Sequence, residues 1–262
     1  MNLKSHNLSI LVLSCDSYSD LWKPLFMLLD KYWKACPFSI YLGSNTKVFN
    51  KKGIKMLLSG TDKDWSSSLI KILKNIPTEY VFIWFDDIFP IGYVETSRFY
   101  EAIEFMQRNC AKHIHMQPVP RPDKIVPGGK FGIYSTGAPY RITARGFWKR
   151  DYLISILQEG ESAWDFEIMG SYRSSFSDGF YCCMKSLHRF LHVVEKGKIF
   201  PYAFKYCRRN NIPLDTNNRS IIGGRFIFVS NLKKIYFNLV IRIPWRIRLY
   251  IMDIFRKALA SY

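Results

Sequence analysis

The twelve residues 79–90, Glu-Tyr-Val-Phe-Ile-Trp-Phe-Asp-Asp-Ile-Phe-Pro, constrain the fold more than any other stretch. From Tyr80 to Phe85 every residue is β-branched or aromatic, and none is polar. Such a run suits a strand buried on both faces, as in the interior of a parallel sheet. It stops at two adjacent carboxylates, Asp86 and Asp87, and open α/β sheets bind their ligands outside the carboxyl ends of their strands. Neighbouring carboxylates repel one another and are costly to bury unpaired, so a divalent cation or a cationic cluster is expected beside them. Mg²⁺ or Mn²⁺ takes hard oxygen ligands and typically joins one or two carboxylates to substrate phosphates. The plainer alternative for Asp86 and Asp87 is a helix cap or a solvated turn.

The rest of the chain alternates in the same idiom. Residues 8–15 read as a first strand, and 20–33 as an amphipathic helix with Ser19 as cap and Pro24 in its first turn. Short strands are expected at 38–42, stopped by Gly43-Ser44-Asn45, and at 54–58. Residues 65–76 place Leu69, Ile72, Leu73 and Ile76 on one helical face. A helix over 94–108 and a strand over 113–116 follow the Asp-Asp run. Beyond Met116 the pattern changes to a long Pro- and Gly-rich loop over 117–139, then a strand at 140–144 and helices at 148–157 and 164–172. Residues 190–203 read as paired strands around Glu195-Lys196-Gly197-Lys198. The fold class is therefore α/β, a doubly wound, mainly parallel sheet flanked by helices.

Charge is distributed unevenly. The 262 residues carry 38 Lys and Arg against 21 Asp and Glu, a net +17 that draws nucleic acid, anionic headgroups or phosphorylated substrates. From Arg219 onward, Arg225, Lys233, Lys234, Arg242, Arg246, Arg248, Arg256 and Lys257 face one acid, Asp253. Ile235, Leu239, Trp245, Leu249 and Phe255 are interleaved with them, and Pro244 divides the segment into two helical pieces. Basic amphipathic helices of this kind lie on anionic membrane surfaces. The alternative is that their apolar face closes the domain's own core. The expected division is a catalytic domain over 1–225, with a nucleotide-binding half to about 116 and an acceptor-side half beyond it, then a basic tail over 226–262. Six cysteines without zinc-like spacing read as reduced thiols of a cytoplasmic protein. The apolar run before Cys15 is too short, and Leu13 too poor a cleavage residue, for a lipoprotein signal.

The order of these pieces resembles bacterial glycosyltransferases of the GT-A fold, of the kind that build O-antigen and capsule polysaccharides. The likeness runs over roughly 8–203: Leu11-Val12-Leu13-Ser14-Cys15-Asp16 with Tyr18, Asp20 and Trp22 behind it, Trp65-Ser66, 80–89, Trp148-Lys149-Arg150 and Trp164-Asp165-Phe166-Glu167. Adjacent Asp86 and Asp87 depart from that family's usual Asp-x-Asp spacing. The resemblance implies a nucleotide-sugar donor, a lipid-linked oligosaccharide acceptor, Mn²⁺ or Mg²⁺ at Asp86 and Asp87, and a peripheral position on the inner face of the bacterial plasma membrane. It also implies a late histidine, His192, completing the metal or diphosphate site, although a lone histidine is more often structural.

Ser14, Cys15 and Asp16 leave the first strand where a doubly wound sheet seats a nucleoside. Asp16 reads equally as a partner of base or ribose and as a helix N-terminal acid. Trp65 and Ser66 open the helix before the Asp-Asp strand and are candidates for the same nucleotide, Trp65 doubling as a core aromatic. Transfer to a hydroxyl needs a base, and Glu167 and Asp165 are the candidates, with Glu167 preferred because alternate residues of a helix cannot point the same way. The alternative for either is a capping acid. Arg141, Arg145, Lys149 and Arg150 form a basic cluster suited to a diphosphate or to solvent. The competing functions are a metal-dependent nucleotidyl- or phosphotransferase using the same Asp-Asp pair, and a basic nucleic-acid-binding protein. Nothing but charge supports the latter, so no nucleic-acid partner is expected.

Overall fold

The computed structural model describes residues 7–61, 63–138 and 140–223, together with Leu239, Ile243, Pro244, Arg246, Ile247 and Tyr250. In chain order the elements are β1 (Leu8–Leu13), α1 (Trp22–Tyr32), β2 (Ser39–Ser44), β3 (Ile54–Leu58), α2 (Trp65–Lys74) and β4 (Tyr80–Phe85). Next come β5 (Ile88–Pro90), α3 (Thr96–Arg108), β6 (His113–His115), β7 (Lys124–Ile125), β8 (Phe131–Ile133), β9 (Gly146–Lys149) and α4 (Arg150–Ile156). The series closes with α5 (Ala163–Arg173), β10 (Phe180–Cys183), β11 (Phe190–His192), β12 (Val194–Glu195), β13 (Lys198–Ile199) and α6 (Pro201–Arg209).

Nine strands form one sheet in the order β3-β2-β1-β4-β9-β6-β10-β8-β7. The chain steps outward from β1 through β2 to β3, then returns to lay β4 on the other side of β1, all four strands running parallel. Strand order therefore reverses between β1 and β4, and the helices of the two arms cover opposite faces. Leu25, Phe26 and Leu29 of α1 share one core with Ile10, Val12, Phe82 and Trp84. On the other face, Leu69, Ile72 and Leu73 of α2 share a second core with Leu11, Leu13, Val81 and Ile83. This explains the unbroken apolar run of β4: alternate residues of β1 and β4 feed two cores, and the one polar side chain of β1, Ser9, is buried as a hydrogen-bond acceptor from Thr78. Trp33, Phe38, Phe82, Trp84, Phe99 and Phe147 add edge-to-face and tilted ring contacts on the α1 side.

Beyond β4 the sheet is mixed, which the doubly wound expectation did not anticipate. β9 runs antiparallel between β4 and β6, pairing Phe82 with Phe147 and Ile114 with Phe147. The strand expected at 140–144 is instead a loop, and the helix expected from 148 begins at Arg150, because Trp148 is wholly buried in β9. Gly146 opens β9 at φ +126°, where a Cβ would lie 2.5 Å from the carbonyl oxygen of Ile114. Only glycine allows the chain to enter between β4 and β6 there. The long loop contributes β7 and β8, and β10 adds parallel to β6. Of the segment read as paired strands, β12 and β13 do pair, but β11 pairs with β5 and Pro201 begins a helix. A six-residue 3₁₀ turn, Asp16–Leu21, precedes α1. The expected basic tail over 226–262 lies almost wholly outside the described residues. No helix among the described residues is long and apolar enough to cross a membrane.

Candidate functional site

The carboxyl ends of β1 and β4 meet at the point where strand order reverses, the place where such sheets bind ligands. In-register pairing of Leu13 with Phe85 sets Ser14 against Asp86. Ser14 Oγ donates a hydrogen bond to Asp86 Oδ2 and accepts one of 2.6 Å from the indole Nε1 of Trp22. Asp86 is buried at 6% exposure. Burial first, and then the charge of Asp87, hold its carboxyl well above the usual carboxylate range, against the opposing effects of Ser14 and Arg219.

Asp87 meets a residue far away in sequence. β11 lies antiparallel on β5 with His192 opposite Ile88, and the backbone N–H of Val193 bonds to the carbonyl of Asp87. His192 Nε2 consequently stands 3.0 Å from Asp87 Oδ2. The other carboxylate oxygen, Asp87 Oδ1, is buried with no hydrogen-bond partner among the described residues. The three residues expected to hold a metal are thus gathered at one strand end, in two contacting pairs with Ser14 and with one another.

Among the described residues, however, no three His, Cys, Asp or Glu side chains form a ready cage. The donor set nevertheless fits a hard divalent cation: buried Asp86 and half-buried Asp87, which repel, one orphaned oxygen of Asp87, and an imidazole within hydrogen-bond distance of the other. Mg²⁺ and Mn²⁺ commonly take one or two carboxylates and complete their shells with substrate phosphates and water.

The rim beyond Ser14 is braced by the chain's own groups. Asp16 Oδ1 accepts from the backbone N–H groups of Asn45, Thr46 and Lys47 at 3.2, 3.0 and 2.9 Å. The Asp16 carboxylate therefore fastens the loop after β2; desolvation raises it, but the hydrogen bonds from Thr46, Lys47 and Asn45 together hold it below its ordinary range. Cys15 is half-buried with its thiol pushed up by burial, unlike a nucleophilic cysteine. Ser66 is buried and donates to the carbonyl of Gln158, joining α2 to the loop before α5. Trp65 packs on Phe166, ring centroids 5.7 Å apart. Both sit at the strand-end edge, serving as joints between the two halves of the molecule.

Arg219, where the basic stretch begins in sequence, is given no role in the site by pattern reading. It is only 6% exposed and pairs with both oxygens of Asp20, at 2.6 and 2.7 Å. It also donates 2.7 Å to the carbonyl of Ser17 and lies 4.3 Å from the ring of Tyr18. An isolated bridge between Ile199 and Ile221 returns the chain to deliver it. Tyr18, Asp20 and Trp22 thus all build this rim. An arginine isolated by the acid-poor stretch after Asp215 carried no signal of its partner.

Glu167 lies across the sheet edge on α5. Ser162 and Asp165 cap that helix reciprocally, each side chain accepting from the other's backbone N–H, so Asp165 is an exposed capping acid. Two residues on, Glu167 turns inward and accepts 2.5 Å from Thr143 Oγ1. Burial raises its carboxyl, opposed by Thr143, the backbone of Ala144 and the charge of Arg145. Glu167 lines a cleft of roughly 370 Å³ together with His115, Gln117, Thr143, Arg145 and Trp164. Trp164 stands at 68% exposure on its rim.

The basic cluster separates on folding. Arg141 is buried against Ser174 and the face of Phe180, Lys149 pairs with Glu79, and Arg150 binds Asp151 and the carbonyl of Ile76. Arg145 alone faces the site. It leans over Phe190, two residues before His192, with its guanidinium 5.1 Å from the ring centroid. Burial lowers it first, and the charges of Asp87 and Glu167 raise it. It lines the cleft together with Glu167.

No family model matches this chain, and no curated protein does. Among solved structures it is similar to S. aureus TarS 1–349, at 14% identity and TM-score 0.45 over 70% of this chain and 59% of that one. The same protein in complex with UDP gives 13% identity and TM-score 0.45 over the same shares. CMP:2-keto-3-deoxy-manno-octonic acid synthetase complexed with CTP gives 12% identity and TM-score 0.43 over 78% of this chain and 98% of that one. The chain thus spans about three fifths of TarS 1–349. Likeness this distant says nothing of chemistry.

Proposed function

We propose that this chain is a metal-dependent glycosyltransferase, moving a sugar from a nucleotide-diphosphate donor to a lipid-linked glycan acceptor in bacterial surface-polysaccharide synthesis. The observation that carries this reading is the presence of two unlike carboxylate centres: Asp86 and Asp87 at the strand-order reversal, and Glu167 in a cleft whose wall it shares with Arg145. A nucleotidyltransferase whose acceptor is an already ionised phosphate or carboxylate needs only the first centre. A site that also deprotonates an acceptor hydroxyl needs the second.

In this scheme Asp86, Asp87 and His192 would hold Mn²⁺ or Mg²⁺. When bound, the ion would neutralise charge building on the departing diphosphate. Ser14 and Trp22 fix Asp86, and Asp16 fixes the loop at 45–47 that would border the nucleoside. Trp65 and Ser66 keep the two halves in register on the donor's other side. Glu167 takes the proton of the acceptor hydroxyl, its basicity raised by burial. A free carboxylate base opposite the departing group favours inversion. The basic tail would hold the enzyme at the inner leaflet, where a lipid-linked acceptor resides.

The test is incubation with a panel of nucleotide sugars and Mn²⁺, following the released nucleotide. Nucleoside diphosphate release that depends on metal and rises with glycan acceptor supports the proposal. Pyrophosphate release from nucleoside triphosphates would assign a nucleotidyltransferase instead.

A further inference from the structure

Glu167 owes its orientation to a bracket that no sequence motif marks. Thr143 lies in the loop between α3's half of the sheet and β9, and its hydroxyl donates 2.5 Å to Glu167 Oε1. The backbone on either side is pinned. His113 Nδ1 is 2.8 Å from the carbonyl of Phe147, which can only accept, so this nitrogen carries the ring proton. That leaves Nε2 as an acceptor, and the N–H of Thr143 donates to it at 3.4 Å. From the other side, the indole N–H of Trp148 donates to the carbonyls of Thr143 and Ala144, at 3.2 and 3.1 Å. His113 and Trp148 themselves stack, 3.9 Å between ring centroids and both wholly buried.

We propose that Thr143, held in place by His113 and Trp148, is the positioning residue of the Glu167 carboxylate, aiming it into the cleft. The inference rests on the reading of Glu167 as the base. A glutamate carboxylate, three bonds from its Cα, has rotamers enough to miss an acceptor by more than an ångström, and misplacement on that scale is expensive in rate. The hydroxyl of Thr143 removes this freedom at Oε1, and the backbone of Ala144, the next residue of the same loop, adds to the hold on the carboxylate.

Other charged or titratable groups facing Glu167 are Arg145 from the same loop, His115 from β6 and Tyr140 on the cleft wall. Asp165, on its own helix, is turned away into the cap. Burial pushes His115 down to about 4 and His113 well below the ordinary histidine range, so both stay neutral where an enzyme of this kind is assayed. The bracket therefore does not itself titrate near neutrality. Loss of the Thr143 hydrogen bond, which stabilises the charged carboxylate, raises the Glu167 carboxyl further.

The experiment compares Thr143→Val, which keeps shape and loses the donor, with Thr143→Ser, which keeps the donor. Glu167 is titrated directly by carbon-13 NMR in the full chain, its signal identified by its loss in Glu167→Gln. Turnover is followed against pH with the nucleotide sugar that the donor panel selects. The inference expects Thr143→Val to move the carboxyl titration and the acidic limb of the rate profile upward together. Turnover should fall roughly tenfold to hundredfold, the worth of a hydrogen bond to a charged group. Thr143→Ser should restore both. His113→Phe, which keeps the stack on Trp148 and removes the acceptor, should act in the same direction. If His113→Phe fails to fold, the two Thr143 variants decide alone. A carboxyl titration unmoved in Thr143→Val overturns the inference. A moved titration with Glu167→Gln still turning over upholds the bracket and overturns the role of base.

Discussion

Replacing Arg219 by methionine tests whether the C-terminal return of the chain belongs to the site or to the tail. The guanidinium is 6% exposed and makes charge-assisted bonds of 2.6 and 2.7 Å to Asp20, whose side chain is 17% exposed. Removing one partner of a buried pair costs about 3–5 kcal/mol, mostly because the other charge is left buried without compensation. Asp20 retains some contact with water, so the lower end, about 3 kcal/mol, applies. The lost contact with the Tyr18 ring adds roughly another 0.5–1 kcal/mol. For a chain of this size each kcal/mol moves the melting midpoint by about 2–4 °C, so a loss of about 3.5–4 kcal/mol should make Arg219→Met melt roughly 7–16 °C lower. The double variant Asp20→Asn/Arg219→Met removes the stranded charge and should recover a good part of that loss. Thermal melts followed by circular dichroism suffice. A single variant melting within about 2 °C of the parent would refute the reasoning, as would a double variant no better than the single. Either result would return Arg219 to the solvated cations with which its sequence neighbours group it.

Asp86→Asn and Asp87→Asn should each remove nearly all turnover and weaken Mn²⁺ binding, read by electron paramagnetic resonance, while leaving the fold intact; full activity in both would dismiss the metal assignment. Glu167→Gln should lower turnover by ~10²–10⁴ at unchanged donor affinity, whereas Asp165→Asn should lower only the melting point. Glu167→Gln also makes a stability prediction with a definite sign. The folded-state carboxyl is raised, so below its unfolded pKa there is no penalty. As pH climbs from there through the raised value the parent loses stability that the amide keeps, and the variant should melt higher at neutral pH but not at about pH 4. Deleting the chain from Asn231 onward should release the protein from anionic vesicles, each basic residue near such a surface being worth about 1 kcal/mol, without abolishing transfer to a short soluble acceptor. Binding that survives the deletion would place the membrane contact elsewhere.

Local pattern was enough to read β1, β2, β3, β4 and the three helices that cover them, because each is a contiguous stretch whose side chains obey one period. It was also enough to mark Asp86 and Asp87, since an apolar strand ending on two carboxylates is itself the anomaly. That Asp165 and Glu167 cannot share one role follows from helical geometry, the preference for Glu167 draws also on the family resemblance, and in space Asp165 is engaged in the capping box with Ser162.

What only the tertiary structure decided is every arrangement in which a residue is defined by a partner remote in sequence. Asp87 and His192 are 105 positions apart and meet because β11 pairs with β5. Asp20 and Arg219 are 199 apart, and Arg219 carried no signal in sequence because nothing near it there is its partner. The antiparallel entry of β9 was hidden for a similar reason. Its four residues, Gly146-Phe147-Trp148-Lys149, are too short to show a period, and the space they fill exists only once β4 and β6 stand side by side. Thr143 and His113 were silent as well, for a threonine that aims a carboxylate reads in sequence like any other threonine. Periodicity reports what one element buries, whereas long-range hydrogen bonds and ion pairs depend on the packing of elements against one another, which no local window contains.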